Sequence, residues 1–409
     1  MKKPGRTHLM ESQRNRTSAA ILRAILREGP LGRKRLAAAT GASSTTVTRI
    51  VADLVERGAL LEVSGHRMPE RTGRPEIPLD LPGGERLVVG AHLHPQRTAI
   101  GAYTLRGECV REAALPAAGT STEERSAEAA SLAREFLGEL GGSTVLGIGI
   151  ATPWAEQHRS FPAPRPWDVG HAQLETAVRA ATGLPVRVDS NVRALAVEHY
   201  WWSALHGDVL TVLVGRSVGL AHMREEELVW SERGTGGMVS HLVVPGSSAP
   251  CECGQSGCIA ATCTDDALLA RAIAAGALPA GAAQQDLYPV PEEDGEALRA
   301  LRIERAEQLG RVLPAIITLV DPERTILRGA IGATDEVELC LTIVRDRYRS
   351  LVGREVEVEH RQDSLPGGWA RASAALALHS YLGAPLELEE GLRSPAAPEA
   401  AQAPIPGTR

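Results

Sequence analysis

The chain has 409 residues, of which 43% are apolar, and this is enough for one small domain and a larger domain with two lobes. It contains no run of 18 apolar residues, and no apolar segment follows its charged first residues, so neither a membrane span nor a signal peptide is expected. The formal net charge is −6, but residues 1–80 alone carry 15 Lys and Arg against 8 Asp and Glu.

This uneven charge indicates which part of the chain meets a polyanion. Residues 1–80 have a net charge of +7, which leaves −13 for the remainder. Cationic side chains that neutralise phosphates supply most of the non-specific affinity of proteins for DNA. A solvated basic face without a partner fits the charge equally well. The cytoplasm is the expected compartment.

Residues 17–61 predict three short helices separated by turns. The first ends at Gly29, the second ends at Gly41, and the third begins at Ser43 or Ser44, both of which are suitable N-caps. The third helix has apolar residues at helical spacing, namely Val47, Ile50, Val51 and Leu54.

The opposite face of the third helix is suited to a DNA groove. It carries small hydroxyl side chains and one arginine, namely Ser44, Thr45, Thr46, Thr48 and Arg49. Short side chains let the backbone approach the major groove, and an arginine reaches bases or phosphates. We expect these residues to contact DNA, together with Arg33 near the start of the second helix.

The residues after the third helix predict a wing, with residues 60–63 as one strand and 77–79 as the return strand. Gly73-Arg74-Pro75 places an arginine in a turn with little bulk around it, which suits the narrow minor groove. A plain hairpin with a solvated Arg74 is the alternative. Residues 1–80 therefore predict an α+β winged helix-turn-helix domain that binds double-stranded DNA.

Residues 81–85 include Pro82-Gly83-Gly84 and predict a hinge. Beyond them, to about residue 383, strands alternate with helices, which is typical of an α/β domain. The predicted strands are 87–93, 98–103, 144–153, 185–190 and 208–215, and the predicted helices include 126–140, 171–181, 301–319 and 370–381. Residues 384–409, which are rich in Pro, Ala and Glu, predict a disordered tail.

The six cysteines are unevenly spaced. Cys251, Cys253 and Cys258 lie within eight residues, whereas the other three are scattered. This distribution favours a metal cluster in a reducing compartment over a disulfide framework.

The segment GGMVSHLVVPGSSAPCECGQSGCIA resembles the zinc segment of the ROK family of bacterial repressors, open reading frames and sugar kinases. The similarity to this family extends from about Asn15 to Leu382. It implies an actin-like ATPase fold, which is ribonuclease H-like and bilobal, for residues 86–383. It also implies a closed structural Zn²⁺ in the loop 241–258 rather than a catalytic metal. The ligands it assigns are His241, Cys251, Cys253 and Cys258.

The chain departs from the family's kinases at the catalytic base. Those kinases use an Asp, in the motif Asn-Asp-Ala-Asn-Ala, to take the proton of the sugar hydroxyl. The matching stretch VDSNVRALAVEHYW places Asn191 at that position and Ser190 before it, and a neutral amide cannot accept the proton. A shifted alignment makes Asp189 the base but loses the match at Val192-Arg193-Ala194.

The phosphate-binding turns depart as well. The family's Asp-x-Gly-Gly-Thr turn corresponds to GAHLHPQRT, in which His92 replaces the Asp and His94-Pro95 replaces the glycines. Pro95 has no N–H to donate to phosphate. A later Gly-Gly pair corresponds to Arg328-Gly329. The resemblance therefore implies no ATP-dependent phosphorylation and no enzyme activity.

The sugar site is also altered. Met238 and Ala260 stand where the family has Glu, and carboxylates bind sugars by accepting hydrogen bonds from vicinal hydroxyls. A pocket remains for an effector, less polar than a hexose prefers. Its expected lining residues are Ser190, Asn191, Met238 and His241.

The sequence thus predicts a sequence-specific transcriptional regulator, a repressor with an activator as the alternative, with a non-catalytic sugar-kinase-like domain for oligomerisation and effector sensing. The resemblance implies a homodimer or homotetramer on a pseudo-palindromic operator, and a sugar or sugar-like effector. Two alternatives are a sugar kinase with an appended DNA-binding domain and a dimerisation scaffold without a ligand.

Overall fold

A computed structural model describes residues 6–63, 76–94, 96–119, 121–153, 170–203, 206–229, 239–288, 295–362 and 368–393. The described residues of the small domain form three helices and a two-stranded sheet, namely α1 (Arg6–Glu28), α2 (Arg33–Thr40), α3 (Ser44–Glu56), β1 (Leu61–Glu62) and β2 (Leu79–Asp80). Strands β1 and β2 pair antiparallel, as the predicted wing requires. Helix α1 begins at Arg6, whereas the sequence predicted that the first helix begins near Thr17.

The first lobe of the large domain contains a five-stranded sheet. Its elements are β3 (Arg86–Leu93), β4 (Arg97–Thr104), β5 (Cys109–Pro116), α4 (Thr122–Gly138), β6 (Thr144–Thr152), α5 (His171–Thr182), β7 (Val186–Ser190) and α6 (Asn191–Trp202). The strand order is β5-β4-β3-β6-β7. Strands β3, β4 and β5 pair antiparallel, whereas β3, β6 and β7 are parallel.

The second lobe repeats this arrangement. Its elements are β8 (Val209–Val214), β9 (Val218–Arg224), β10 (Glu227–Val229), α7 (Ile259–Thr262), α8 (Asp265–Ala274), α9 (Glu296–Val320), β11 (Arg324–Arg328), α10 (Thr334–Val352) and β12 (Glu357–Arg361). The strand order is β10-β9-β8-β11-β12, with an antiparallel meander followed by parallel strands. Two lobes with the same strand order confirm the predicted ribonuclease H-like, bilobal fold.

Helix α11 (Gly368–Gly383) returns the chain to the first lobe, where it packs on β3 and β6. Two glycines allow this close contact. A Cβ atom at Gly90 would lie 2.0 Å from the carbonyl oxygen of Ala370, and one at Gly149 would lie 1.8 Å from that of Ser373. Because no larger residue fits there, the two glycines determine how closely α11 lies on the sheet.

The small domain and the first lobe share one hydrophobic core. Residues of α1 and α3 belong to the same buried cluster as residues of α6 and α11. The predicted hinge, 81–85, begins inside this cluster, since Leu81 is only 7% exposed. Its first residues are therefore packed against the domains rather than exposed as an open linker.

The prediction of a disordered tail from residue 384 is wrong for its first residues, because Pro385–Arg393 forms helix α12. The side chain of Asn15 on α1 accepts a hydrogen bond from the N–H of Leu386 (3.1 Å). Glu389 forms a buried ion pair with Arg86. Composition did not predict this helix, because contacts with Asn15 and Arg86 hold it in place.

Within the described ranges, no helix is both long enough and apolar enough to cross a bilayer.

Candidate functional site

Helices α2 and α3 form a helix-turn-helix. Helix α2 ends at Gly41, whose φ of 65° is the left-handed conformation that glycine adopts readily. Helix α3 begins after Ser43, whose Oγ accepts a hydrogen bond from the N–H of Thr46 (3.2 Å). Four apolar residues of α3 are fully buried, namely Val47, Ile50, Val51 and Leu54. The inner face of α3 is therefore fixed to the domain and its outer face is presented to solvent.

The outer face of α3 carries most of the predicted DNA contacts. Ser44, Thr45, Thr48 and Arg49 are exposed. Arg49 makes no hydrogen bond or ion pair with the described residues, so its guanidinium group is available to a ligand. Thr46 is half-buried instead, and its Oγ1 lies 2.9 Å from Oγ of Ser43, because the third residue of the helix turns back toward the N-cap.

The structure describes Arg33 but not Arg74, the arginine predicted in the wing. Arg33 begins α2 and donates a hydrogen bond to the Glu62 carboxylate on β1 (2.8 Å), so its charge is already partly compensated. Arg74 lies outside the described residues, as do the rest of the wing tip and Pro95 and Met238.

Two arginines of α1 face the large domain rather than solvent. Arg23 and Arg27 both pair with the carboxylate of Glu226, at N–O distances of 2.6 and 2.5 Å. Glu226 lies in the tight turn between β9 and β10, where its φ is 71°. The guanidinium carbon of Arg27 lies 5.6 Å from the ring centre of Tyr200 and 5.4 Å from that of Trp201, at the end of α6. Part of the positive charge of residues 1–80 therefore serves this interdomain contact.

The four predicted metal ligands lie together. One ligand atom from each of His241, Cys251, Cys253 and Cys258 falls within 4.8 Å of all the others. The Sγ atoms of Cys253 and Cys258 are 3.7 Å apart, as are Sγ of Cys251 and Nδ1 of His241. Two thiolates bound tetrahedrally to zinc, with bonds of about 2.3 Å, lie about 3.8 Å apart. The geometry of these residues fits a four-coordinate metal.

Backbone hydrogen bonds form the loop that holds these ligands. The N–H of Cys251 donates to the carbonyl of Gln255, and the N–H of Val244 donates to the carbonyl of Gly257. Gly257 has a φ of +77°, and a Cβ atom there would lie 2.4 Å from the carbonyl oxygen of Ser247. The loop therefore needs glycine at this position to keep Cys258 beside Cys253.

A cleft of about 280 Å³ lies between the lobes. Asn191, the first residue of α6, lines it, as do His92 at the end of β3 and Trp369 at the start of α11. The rings of His92 and Trp369 are stacked, with centroids 4.9 Å apart. Burial, together with the smaller electrostatic effects of His94 and Arg97, lowers the pKa of His92 to about 3, so this imidazole is neutral at physiological pH.

Asp189, the alternative catalytic base, is already bound. Its Oδ1 accepts hydrogen bonds from Nε of Arg193 (2.6 Å) and from the N–H of Ser190 (2.9 Å). Its Oδ2 accepts one from Arg187 (3.2 Å). Asp189 is not among the residues that line the cleft, whereas Asn191 is. Both carboxylate oxygens of Asp189 are therefore occupied by hydrogen bonds within the chain.

The predicted effector pocket is only partly assembled. Asn191 lines the cleft, whereas Ser190 is buried behind it at the end of β7, and His241 lies in the metal cluster. Sequence reasoning placed His92 and His94 in a lost phosphate turn but did not recognise them as cleft residues. Trp369 was missed, because only the return of α11 to the first lobe brings it to the cleft.

Arg328, which replaces a glycine of the family's phosphate turn, does not line the cleft. It is buried and contacts Nε2 of His199 on α6. Gly329 lines the cleft in its place with a φ of +90°, and a Cβ atom there would lie 1.9 Å from the carbonyl oxygen of Val214. The turn at Gly329 is therefore still tight, and the Arg328 guanidinium group is directed toward α6.

Comparisons with known proteins agree with this arrangement. A model of the ROK family matches residues 95–366, and a model described as winged helix-turn-helix DNA-binding matches residues 14–60. A transcriptional regulator of Mycobacterium tuberculosis is 26% identical over 381 residues, covering 83% of this chain and 84% of the relative.

Two further similar proteins are a repressor and a transcriptional regulator. The N-acetylglucosamine repressor of Escherichia coli O157:H7 is 23% identical, over 79% of this chain and 82% of its own length. The crystal structure of a ROK family transcriptional regulator, a homologue of the E. coli MLC protein, superposes with a TM-score of 0.75 and 16% identity. This superposition covers 94% of this chain and 100% of the other, and it shows that the two chains share a fold.

Proposed function

The chain belongs to the ROK family, and from this premise we propose that it is a sequence-specific DNA-binding transcriptional regulator that acts as a repressor in the cytoplasm. The observation that carries the proposal is the outer face of α3, which presents hydroxyl groups and the unpartnered Arg49 from a helix whose other face is buried. Such a face matches the major groove of DNA. The regulators and the repressor among its relatives support the same function.

The large domain is proposed to be non-catalytic. Asn191 occupies the base position and lines the cleft, while the nearby carboxylate of Asp189 is held by Arg187 and Arg193. The alternative function, ATP-dependent phosphorylation of a hexose, requires a free carboxylate to accept the proton of the sugar hydroxyl. A coupled assay with glucose and ATP should detect no turnover. Sugar phosphate formed by the wild-type protein, and lost in Asn191→Ala, would establish the kinase instead.

Two helices support a role for the cleft in effector sensing. Helix α6 begins in the cleft with Asn191, and α11 begins there with Trp369. The two helices pack against each other. A helix of 12 residues, as α6 is, spans about 18 Å.

The far ends of these helices contact the DNA-binding domain. Nε of Arg23 donates to the carbonyl of Leu382 at the end of α11 (3.1 Å). Nη2 of Arg27 donates to the hydroxyl of Tyr200 near the end of α6 (3.1 Å). Because the same two arginines hold Glu226 of the second lobe, a change in the angle between the lobes would move α1. A ligand that prefers one lobe arrangement would therefore alter DNA binding.

The metal proposed for the loop 241–258 is a structural Zn²⁺. His241, Cys251, Cys253 and Cys258 would hold it, and three thiolates with one imidazole are a donor set that zinc prefers. The ion would supply no catalysis, because four protein ligands leave no open coordination position.

Metal analysis of the purified chain tests the zinc proposal. We expect about one Zn²⁺ per chain, and its loss in Cys253→Ser. Cys109→Ser is the matched control, because Cys109 is an exposed cysteine outside the cluster. Freshly prepared protein without zinc, or equal zinc in both variants, would contradict the assignment.

A homodimer or homotetramer would place two copies of α3 on a pseudo-palindromic operator. The DNA proposal is tested by selecting genomic fragments with the full-length protein, followed by footprinting and by measurement of mass with and without the fragment. We expect a two-fold symmetric footprint and one dimer or tetramer per site. A folded protein that selects no fragment at low salt would require α3 to be reassigned to a protein partner.

A further inference from the structure

We propose that Arg86 and Arg106 of the first lobe are positioning residues for DNA recognition. Each holds the C-terminal end of one helix of the DNA-binding domain, and together they fix the direction in which α3 points from the large domain. The proposal rests on the proposed function, because it takes α3 as the recognition helix of a symmetric oligomer. The spacing of the operator half-sites would then be selected by the large domain as well as by α3.

Arg86 joins the end of α3 to the large domain. It begins β3 and is only 8% exposed. Its Nη2 donates a hydrogen bond to the carbonyl of Arg57, the residue that caps the C-terminus of α3. The same guanidinium group forms an ion pair with Glu389, which is 2% exposed. A Cβ atom at Gly58 would lie 3.6 Å from Nη2 of Arg86, so the guanidinium group lies against the turn that ends α3.

Arg106 makes the equivalent contact with α1. It lies in the turn between β4 and β5, and its Nη1 donates to the carbonyl of Leu26 in the last turn of α1 (3.3 Å). Its Nη2 pairs with the carboxylate of Asp80 on β2, the return strand of the wing. The last carbonyls of a helix lack partners within the helix, and the helix dipole favours a cation beside them. Two helices of the small domain are therefore held at their C-terminal ends by arginines of one lobe.

These contacts add direction to a contact that is otherwise apolar. Residues of α1 and α3 share a hydrophobic core with the large domain, but burial of apolar surface is non-directional. Hydrogen bonds from a planar guanidinium group are directional. Strands β3 and β4 pair in one sheet, so the two arginines are fixed relative to each other. In an oligomer, the direction of α3 from this sheet sets the distance between its two copies and hence the spacing of the half-sites.

The test measures how strongly DNA binding depends on half-site spacing. The probe is a genomic fragment selected by the full-length wild-type protein, together with derivatives that carry two or five extra base pairs between the half-sites. Two base pairs move one half-site by about 7 Å along the DNA axis and by about 70° around it. Fluorescence anisotropy gives the Kd for each duplex and for a duplex with a single half-site. We expect two extra base pairs to weaken binding of the wild-type protein at least tenfold.

Two variants remove the contacts separately. Arg106→Ala removes a side chain that is 35% exposed, so the fold should be retained. Arg86→Lys keeps a positive charge for Glu389 but replaces the planar fork with a single nitrogen. In both variants the effect of two extra base pairs should fall below threefold, while the Kd for the single half-site stays within twofold of the wild-type value. A loss of stability alone would not change this ratio.

Arg111→Ala is the matched control for both variants. Arg111 is an exposed arginine of the same lobe, and it pairs with the exposed Glu139. The control should keep the tenfold dependence on spacing. Melting temperature identifies a variant that does not fold, and if Arg86→Lys is such a variant, Arg106→Ala decides alone.

Hydrogen–deuterium exchange of the DNA-free proteins is the second measurement. The amides of residues 57–62, at the end of α3, should exchange at least fivefold faster in Arg86→Lys than in the wild-type protein. The amides of β6 should exchange at the wild-type rate, because a general loss of stability would accelerate both segments.

The outcomes separate this inference from the proposed function. A wild-type dependence on spacing in the folded variants, or unchanged exchange at the end of α3, would overturn the positioning role and leave the regulator standing. Equal binding of the wild-type protein to all spacings would do the same. Absence of DNA binding by folded wild-type protein would reject the regulator and the positioning role together.

Discussion

Helices α1 and α3 belong to the same basic domain, yet their arginines have different partners. Arg23 and Arg27 of α1 face the large domain, where both pair with Glu226. Arg49 of α3 is exposed and has no partner within the described ranges. The net charge of the first 80 residues therefore identifies the domain that meets DNA but not the surface that does so. Burial and existing ion pairs distinguish the two roles.

The largest effect is expected from placing a charge on the inner face of α3. Val51 is fully buried, so Val51→Asp should destabilise the small domain by more than about 4 kcal/mol and abolish DNA binding. Calorimetry and limited proteolysis of the full-length chain measure this. Thr48→Asp is the matched control on the exposed face, and it should lose DNA binding while the melting temperature stays unchanged. Similar melting temperatures for Val51→Asp and Thr48→Asp would contradict the assignment of Val51 to the buried face of α3 and Thr48 to its exposed face.

The second-largest loss of stability is expected from disrupting α12, the helix that packs against α1. Glu389 on α12 pairs with the buried Arg86 and also accepts a hydrogen bond from Tyr381 (2.9 Å). Glu389→Ala would leave Arg86 charged and unpaired in the interior, at a cost of about 3–5 kcal/mol in unfolding free energy. Glu387→Ala, on the exposed side of the same helix, removes only the hydrogen bond that Nδ2 of Asn15 donates to Glu387 (3.3 Å) and should change stability much less. Equal denaturation midpoints for the two variants would show that the buried pair does not anchor α12.

The third prediction concerns DNA affinity. Arg49→Ala should weaken binding to a selected operator by about 1–3 kcal/mol if the side chain makes a bidentate base contact. Stability, zinc content and oligomeric state should not change, because Arg49 is exposed and makes no hydrogen bond or ion pair with the described residues. Fluorescence anisotropy with the operator and with scrambled DNA measures the loss. A lowered melting temperature with unchanged affinity would reverse the roles of α1 and α3.

The smallest effect is expected from α1. Arg27→Ala removes one ion pair and the contact with Tyr200 and should cost about 1 kcal/mol of stability. The salt dependence of DNA binding should not change, because Arg27 is turned away from DNA. Arg35→Ala is the control with the same change in charge, since Arg35 is exposed and pairs with the exposed Glu28, so its loss should not alter melting. A reduced salt slope in Arg27→Ala would place that arginine on DNA.

Features with local signals were predictable from the sequence. The N-cap Ser43, the apolar spacing of α3 and the turn at Gly41 define the helix-turn-helix within a few residues. The strands of alternating or continuous apolar residues, such as β3 and β6, were found for the same reason. Strand β5 was not predicted, because nearly all its residues are exposed and only its pairing with β4 makes it a strand.

The sequence by itself determined the fold family, the helix-turn-helix and the His/Cys cluster that could hold a metal, because each depends on residue types at short, regular spacing. Tertiary structure alone decided three other features. It directed Arg23 and Arg27 toward Glu226, it ordered α12 against α1 and Arg86, and it brought Trp369 beside His92 in the cleft. Each of these contacts joins residues more than 100 positions apart, so the partner of each side chain depends on packing that no local pattern records.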